Sequence, residues 1–296
     1  MESSRNSLAG PAGRAVLTAI CLLAVLTPSA GAALPFRLSD LFAPRPAPAA
    51  APVIAPVAEP ITVDPVGPVQ GTMIMVHAGG WAGHDASAQR QLVDSPGDVF
   101  LKRGWRIISI DYNEGTAGLQ DVLNTAGAEL TRKTGDGPVC IYGESSGAHL
   151  ALAVAARLRA IDCVAGLGTP TDIGLYQQEA AASSDLRVKQ VAGRMGDFFG
   201  ATPDAYASWN PVTFAATIHA DMLLLHEADD EVVTALHGQR FQAAAPAPQL
   251  AELEPGDPND ETTDFMHGTI SEVGRTHYAS ALGSFCLLYT SPSPRD

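Results

Sequence analysis

The chain reads as an α/β protein, a mostly parallel sheet with helices on both faces, and three observations predict this. Short apolar runs alternate with longer helix-like runs from residue 72 to residue 284. Gly104 and Gly135 fall where helix C-terminal caps belong. Finally, Pro138-Val139-Cys140-Ile141-Tyr142 runs through Gly143-Glu144-Ser145-Ser146-Gly147 into the alanine-rich stretch 148–156, which is a strand, a tight turn and a helix.

In chain order, strands are expected near 72–77, 106–111, 138–142, 163–168, 221–226 and 248–253. Helices are expected near 88–103, 118–133, 146–159, 187–199, 234–245 and 272–284. The stretch before Gly71 is short and rich in proline, so an opening antiparallel hairpin is expected to be missing or reduced. Residues 170–215 form a modest insert before the strand at 221–226. Its Leu175, Tyr176, Met195, Phe198 and Phe199 either shape a pocket or pack inward.

Ser145 is the candidate nucleophile, because glycines on both sides of a serine permit a turn sharp enough to hold its hydroxyl out at a strand end. Upstream, His77-Ala78-Gly79-Gly80-Trp81 ends another apolar run, Met73 to Val76. Together these segments resemble the α/β-hydrolase superfamily, in particular small esterases with an H-G-G-G-W oxyanion loop and a G-x-S-x-G-x-H-L-A elbow. The resemblance spans about 72–285, with Ala78 replacing the first loop glycine. It implies an α/β-hydrolase fold with a small cap insert and triad partners in the order serine, acid, histidine. The family's H-G-x-x-D-x-x-V-P segment aligns with His226 to Thr234 and places the acid at Asp230, with Asp229 as the alternative. Glu227 and Thr234 replace the usual glycine and proline. Phe265-Met266-His267-Gly268 looks like the histidine loop, which makes His267 the base, whereas His277 lies in a closing helix.

A serine hydroxyl is a weak nucleophile until a base takes its proton. His267 fits that task, with Asp230 fixing its tautomer. The oxyanion needs preorganised donors. Ser146 N–H, with Gly79 or Gly80 N–H, would supply them. Trp81 and Tyr112 are candidate walls of the substrate pocket, Trp81 equally a residue packed under the loop. His149 reads as a hydrogen-bonding core histidine, and His77 and His226 as residues that order their loops. His84 with Asp85 makes no metal site, and neither a metal nor an organic cofactor is implied.

The implied activity is cleavage of small-molecule carboxylic esters through an acyl-enzyme. The alternatives are an amide hydrolase, either a prolyl-oligopeptidase-like peptidase or an arylformamidase, and a non-catalytic binding module on the same scaffold. The net charge of −14 argues against a nucleic-acid partner. Residues 1–32 read as a signal peptide: Arg5 and Arg14, the apolar run Ala15 to Leu26, then small residues to Ala33. That run is too short to span a membrane. The mature chain is expected to be secreted or periplasmic, with no membrane span. Residues 33–65 read as a Pro/Ala-rich disordered linker and 66–285 as the catalytic domain. Residues 286–296 resemble the translation of a transposase-type sequencing adapter, so the natural chain is expected to depart from this sequence after Phe285. Cys140 and Cys163 are expected on neighbouring strands, where they could pair in an oxidising compartment; buried thiols are the preferred expectation, since disulfides between adjacent core strands rarely meet the geometry.

Overall fold

The computed structural model describes residues 57–132, 137–260 and 265–290. The signal-peptide assignment, most of the linker, the cap at Gly135 and residues 291–296 lie outside the described residues. The strands are β1 (Ile61–Val63), β2 (Gly71–Val76), β3 (Trp105–Ile110), β4 (Val139–Glu144), β5 (Cys163–Leu167), β6 (Asp221–Glu227) and β7 (Gln249–Leu253). They form one sheet in the order β1-β3-β2-β4-β5-β6-β7, parallel throughout except for β1, which pairs antiparallel with β3.

Six strands fall where the apolar runs put them. The central ones read as unbroken apolar runs because both sheet faces are covered. Alternate side chains separate the two cores. Ile74, Val76, Ile108 and Ile141 face α3 (Thr116–Arg132) and α4 (Ser146–Arg157). Met73, Met75, Ile107 and Tyr142 face α1 (Ala86–Asp94), α2 (Pro96–Leu101) and the last helix, Glu272–Thr290.

The structure corrects three of these expectations. The helix expected over 88–103 is two helices, because Pro96 starts α2 at its first turn and leaves Ser95 as the junction. The domain begins before residue 66, since Ile61, Thr62 and Val63 pair with Ser109, Ile108 and Ile107. The opening hairpin is thus reduced to a single three-residue strand. The closing helix runs past Phe285, and Cys286 is buried against the core.

The insert holds α5 (Ile173–Ala182), α6 (Leu186–Phe199) and the short helices α7 (Pro203–Tyr206) and α8 (Pro211–Phe214). Leu175, Tyr176, Met195 and Phe199 are buried, so this insert packs inward. Among the described residues two more helices follow, α9 (Leu236–Ala244) and α10 (Glu272–Thr290).

Cys140 and Cys163 form a disulfide, contrary to the thiol expectation. They are direct register partners in β4 and β5, with Cα atoms 4.6 Å apart and side chains in the same core. That separation lies within disulfide range. Replacing both by alanine is expected to lower unfolding stability by about 3 kcal/mol, the entropy of closing a loop of this size in the unfolded chain. Urea melts of variant and parent read the difference. Equal midpoints would show that the crosslink is not formed.

Candidate active site

Because β2, β4, β5 and β6 run parallel, their carboxyl ends share one edge of the sheet. His77 follows β2, Ser145 follows β4, Gly168 follows β5 and Asp230 follows β6. Ser145 sits at φ 51°, ψ −118°, between β4 and α4. Its two glycines are required by space. A Cβ on Gly143 would lie 2.4 Å from the Gly147 carbonyl carbon, and one on Gly147 would lie 2.2 Å from the Val76 oxygen. The left-handed φ is a strained state for a residue with a side chain, of order 1–3 kcal/mol. Nothing local rewards it: Ser145 makes no side-chain capping bond to α4. Its N–H is anchored on the Leu167 carbonyl at 2.8 Å.

The loop after β2 closes as a turn, with Ala82 N–H donating to Gly79 O at 3.2 Å. Gly80 and Trp81 between them both have φ of 60°. Gly79 itself lies at φ 126°, while Ala78 is outside the positive-φ region and replaces the usual glycine without backbone strain. Arg194 of α6 donates from Nη1 to Gly79 O at 3.0 Å. Tyr112 is wholly buried beneath this loop, and its hydroxyl donates to His77 O at 3.1 Å. The same hydroxyl lies 3.4 Å from Ser146 Oγ. Trp81 is also wholly buried, with Nε1–H donating to His149 Nδ1 at 3.2 Å. His149 donates from Nε2 to the Trp209 carbonyl at 2.7 Å. Trp81 thus takes the second of its two expected roles, packing under the loop, and Tyr112, expected as a pocket wall from its place at the strand end, is a buried support of the loop.

Asp111 ties this loop to the start of the domain. Its carboxylate receives Ala58 N–H, Asp85 N–H, Tyr112 N–H and His77 Nε2, all within 2.9–3.1 Å. Burial alone would raise the Asp111 pKa, but these four donors outweigh it and hold the carboxyl below its ordinary value.

On the far side of the edge, His267 Nδ1 lies 2.9 Å from Asp230 Oδ2. The other Asp230 oxygen accepts Val232 N–H and Val233 N–H at 2.8 and 2.6 Å. Asp229 points elsewhere, accepting the Thr269 N–H and hydroxyl. Glu227 Oε1 receives His267 N–H and Gly268 N–H at 3.1 and 3.2 Å, so this residue in the place of a glycine holds the histidine loop by its backbone. Sequence reasoning missed that role, although the glycine-to-glutamate departure marked the position. The His267 ring covers Gly168, where a Cβ would come within 3.1 Å of Nδ1. Since Ser145 N–H binds Leu167, the ring and the elbow meet over consecutive residues of one loop. Among the described residues the Ser145 hydroxyl has no hydrogen-bond partner. The expected hydrogen bond from Ser145 to His267 is therefore not made in this structure, and the ring is bonded to Asp230 alone. Glu227, Asp230 and His267 also bring ligand-type atoms within 4.8 Å of one another. The Nδ1 and Oε1 atoms in that group already bond to Asp230 and to the loop N–H groups.

No family model and no curated protein matches the chain. Solved structures do. A carbohydrate esterase from gut microbiota aligns with TM-score 0.56 at 16% identity, over 75% of this chain and 90% of its own. An acetyl ester-xyloside bifunctional hydrolase from Caldicellulosiruptor lactoaceticus aligns with TM-score 0.54 at 15% identity, over 77% and 85%. A puromycin-hydrolyzing peptidase of Mycobacterium tuberculosis aligns with TM-score 0.58 at 20% identity, over 78% of this chain but 36% of its own. The chain has the α/β-hydrolase fold.

The groups beside the edge have displaced proton affinities. Burial, with Asp230 adding, pushes the Glu227 carboxyl up to about 7, against the loop N–H groups. Burial also pushes Glu144 up to about 7, against Tyr142 and His267. Burial lowers the imidazoles of His149 and His226 to about 4. A carboxyl with a raised folded pKa holds its proton longer when folded. Its contribution to stability is full below 4.5 and is lost as pH rises through 7. The two histidines act oppositely, losing stability as pH falls from 6.5 to 4. Wild-type stability is therefore expected to be nearly flat across this range. Glu227→Gln is expected to gain about 3 kcal/mol on wild type between pH 4.5 and pH 7. Urea midpoints of both proteins across that range test it; a constant difference would mean that Glu227 is ionised throughout.

Proposed function

We propose that this chain is an exported serine hydrolase that cleaves carboxylic esters of small molecules through an acyl-enzyme. The single observation that carries the reading is the His267–Asp230 bond at 2.9 Å, beside an elbow that holds Ser145 in a strained turn. Ser145 Oγ attacks the ester carbonyl while His267 takes its proton through Nε2. Asp230 keeps the proton of His267 on Nδ1 and stabilises the imidazolium. The carbonyl oxygen, now an anion, takes the Ser146 N–H at the start of α4 and an N–H of the Gly79-Gly80 turn. The alcohol departs with the proton from His267, and water repeats the sequence to release the acid. These residues supply every step, without a metal or organic cofactor.

Export is supported by the buried Cys140–Cys163 crosslink, a bond that persists in oxidising compartments. The residues of the catalytic domain are taken to begin with the segment bearing Ala58 and β1. An amide bond would use the same groups, and one structural neighbour is a peptidase, so the test sets amides beside esters. Purified protein is given p-nitrophenyl acetate, a formanilide and a proline anilide, and is treated with a fluorophosphonate probe. Ester turnover exceeding both anilides, with stoichiometric labelling, is the expected result. Faster anilide cleavage would move the reading to an amidase. No labelling and no turnover would favour a binding module.

A further inference from the structure

A cavity of about 560 Å³ lies against the elbow, and nothing in the triad uses it. Ala78 of the oxyanion loop, Glu144 before the nucleophile and Met266 before the histidine line it, so it adjoins the elbow through the chain neighbours of Gly79, Ser145 and His267. Leu92, Pro96 and Leu167 make much of the remaining wall apolar. Glu144 and Asp94 line it, Asp94 paired with Arg90 at 3.8 Å, and among the described residues no lysine or arginine lines it. His77 is committed at both ring nitrogens, to Ala78 O and to Asp111.

Glu144 is held in place from one side only. The Tyr142 hydroxyl donates to its Oε1 at 2.8 Å, and the Tyr278 hydroxyl lies 2.7 Å from that of Tyr142. Glu144 Oε2 takes no hydrogen bond among the described residues, although the side chain borders the cavity. A carboxylate oxygen facing a partly apolar cavity is an acceptor for a cationic donor. The cavity therefore favours a group that brings a positive charge and an N–H, and disfavours an anion.

Resting on the serine hydrolase reading above, we propose that this cavity selects acyl groups bearing a protonated amine near the carbonyl, such as aminoacyl esters, with Glu144 receiving the ammonium. Glu144 and Ser145 are consecutive, with Cα atoms about 3.8 Å apart, so the amine lies within a few bonds of the reacting carbon. Glu144 is half-buried, and an ammonium reaching its free Oε2 would make a charge-assisted hydrogen bond there.

Four methyl esters test this at pH 7 in a titrating stat: alanine, lactate and propionate, which are close in size, and N-acetylalanine, in which the amine is uncharged. In wild type, kcat/KM for the alanine ester is expected to exceed that for propionate by about tenfold or more, the scale of one charge-assisted hydrogen bond. Lactate and N-acetylalanine should resemble propionate. In Glu144→Gln the alanine-to-propionate ratio should fall about tenfold from its wild-type value, whatever the absolute rates, since the intrinsic activation of the carbonyl by the ammonium is common to both proteins. Inhibition of propionate hydrolysis by n-butylammonium but not by n-butanol tests the same pocket in wild type alone. Propionate turnover with no amine preference, a lactate rate equal to alanine, or an unchanged ratio in Glu144→Gln overturns the proposal and leaves the hydrolase standing. Failure of every ester together with failure of fluorophosphonate labelling overturns both.

Discussion

Ser145→Ala is expected to lower kcat on p-nitrophenyl acetate by about 10⁶, to the level left by binding and the oxyanion donors. Fluorophosphonate labelling should vanish with it. The fold should not suffer, because the Ser145 hydroxyl makes no capping bond and the alanine keeps the same Cβ at the same φ of 51°. Stability supplies a second readout that separates a strained nucleophile from an ordinary helix start. Ser145→Gly removes the Cβ from that left-handed position and is expected to raise stability by about 1 kcal/mol while being equally inactive. For an unstrained helix cap the opposite holds, since losing a capping serine destabilises. Activity above about one percent in either variant, or persistent labelling, would move the nucleophile to another residue.

What could be read in advance follows from where the information lies. Runs such as Met73 to Val76 and Met222 to Leu225 are apolar throughout because they are covered on both faces, and a continuous run is visible in one dimension. The elbow is visible for a related reason: its glycines are demanded by contacts within five residues and by the neighbouring Val76. Strand β1 was hidden because three residues of strand character sit in a proline-rich stretch and are fixed by pairing with β3. The Cys140–Cys163 bond depends on register between strands, which neither strand states alone. For Trp81 the sequence left wall and packing open, and for Tyr112 it suggested a wall, since sequence does not say which face a buried ring takes. Glu227 shows the reverse. Its departure from the family pattern was plain, while its use, two N–H groups some forty residues later, needed the fold.

The paired acids at 229 and 230 make the sharpest chemical test, because sequence spacing allows either and their surroundings differ. Asp230→Asn is expected to reduce kcat by about 10⁴. The amide oxygen could still accept Val232 N–H and Val233 N–H, so the turn survives, but the NH₂ would then face His267 Nδ1 as a donor. His267 would have to carry its proton on Nε2, the atom that must receive the serine proton. The imidazolium formed on attack would also lose its carboxylate. Asp229→Asn keeps an acceptor for Thr269 and touches neither ring nitrogen of His267, so it is expected to cost less than about tenfold in kcat. Steady-state kinetics of the two variants side by side decide between them. Losses of equal size, or a greater loss at 229, would mean that the bond of His267 to Asp230 is not the one used in turnover, and the mechanism would have to be rebuilt around Asp229.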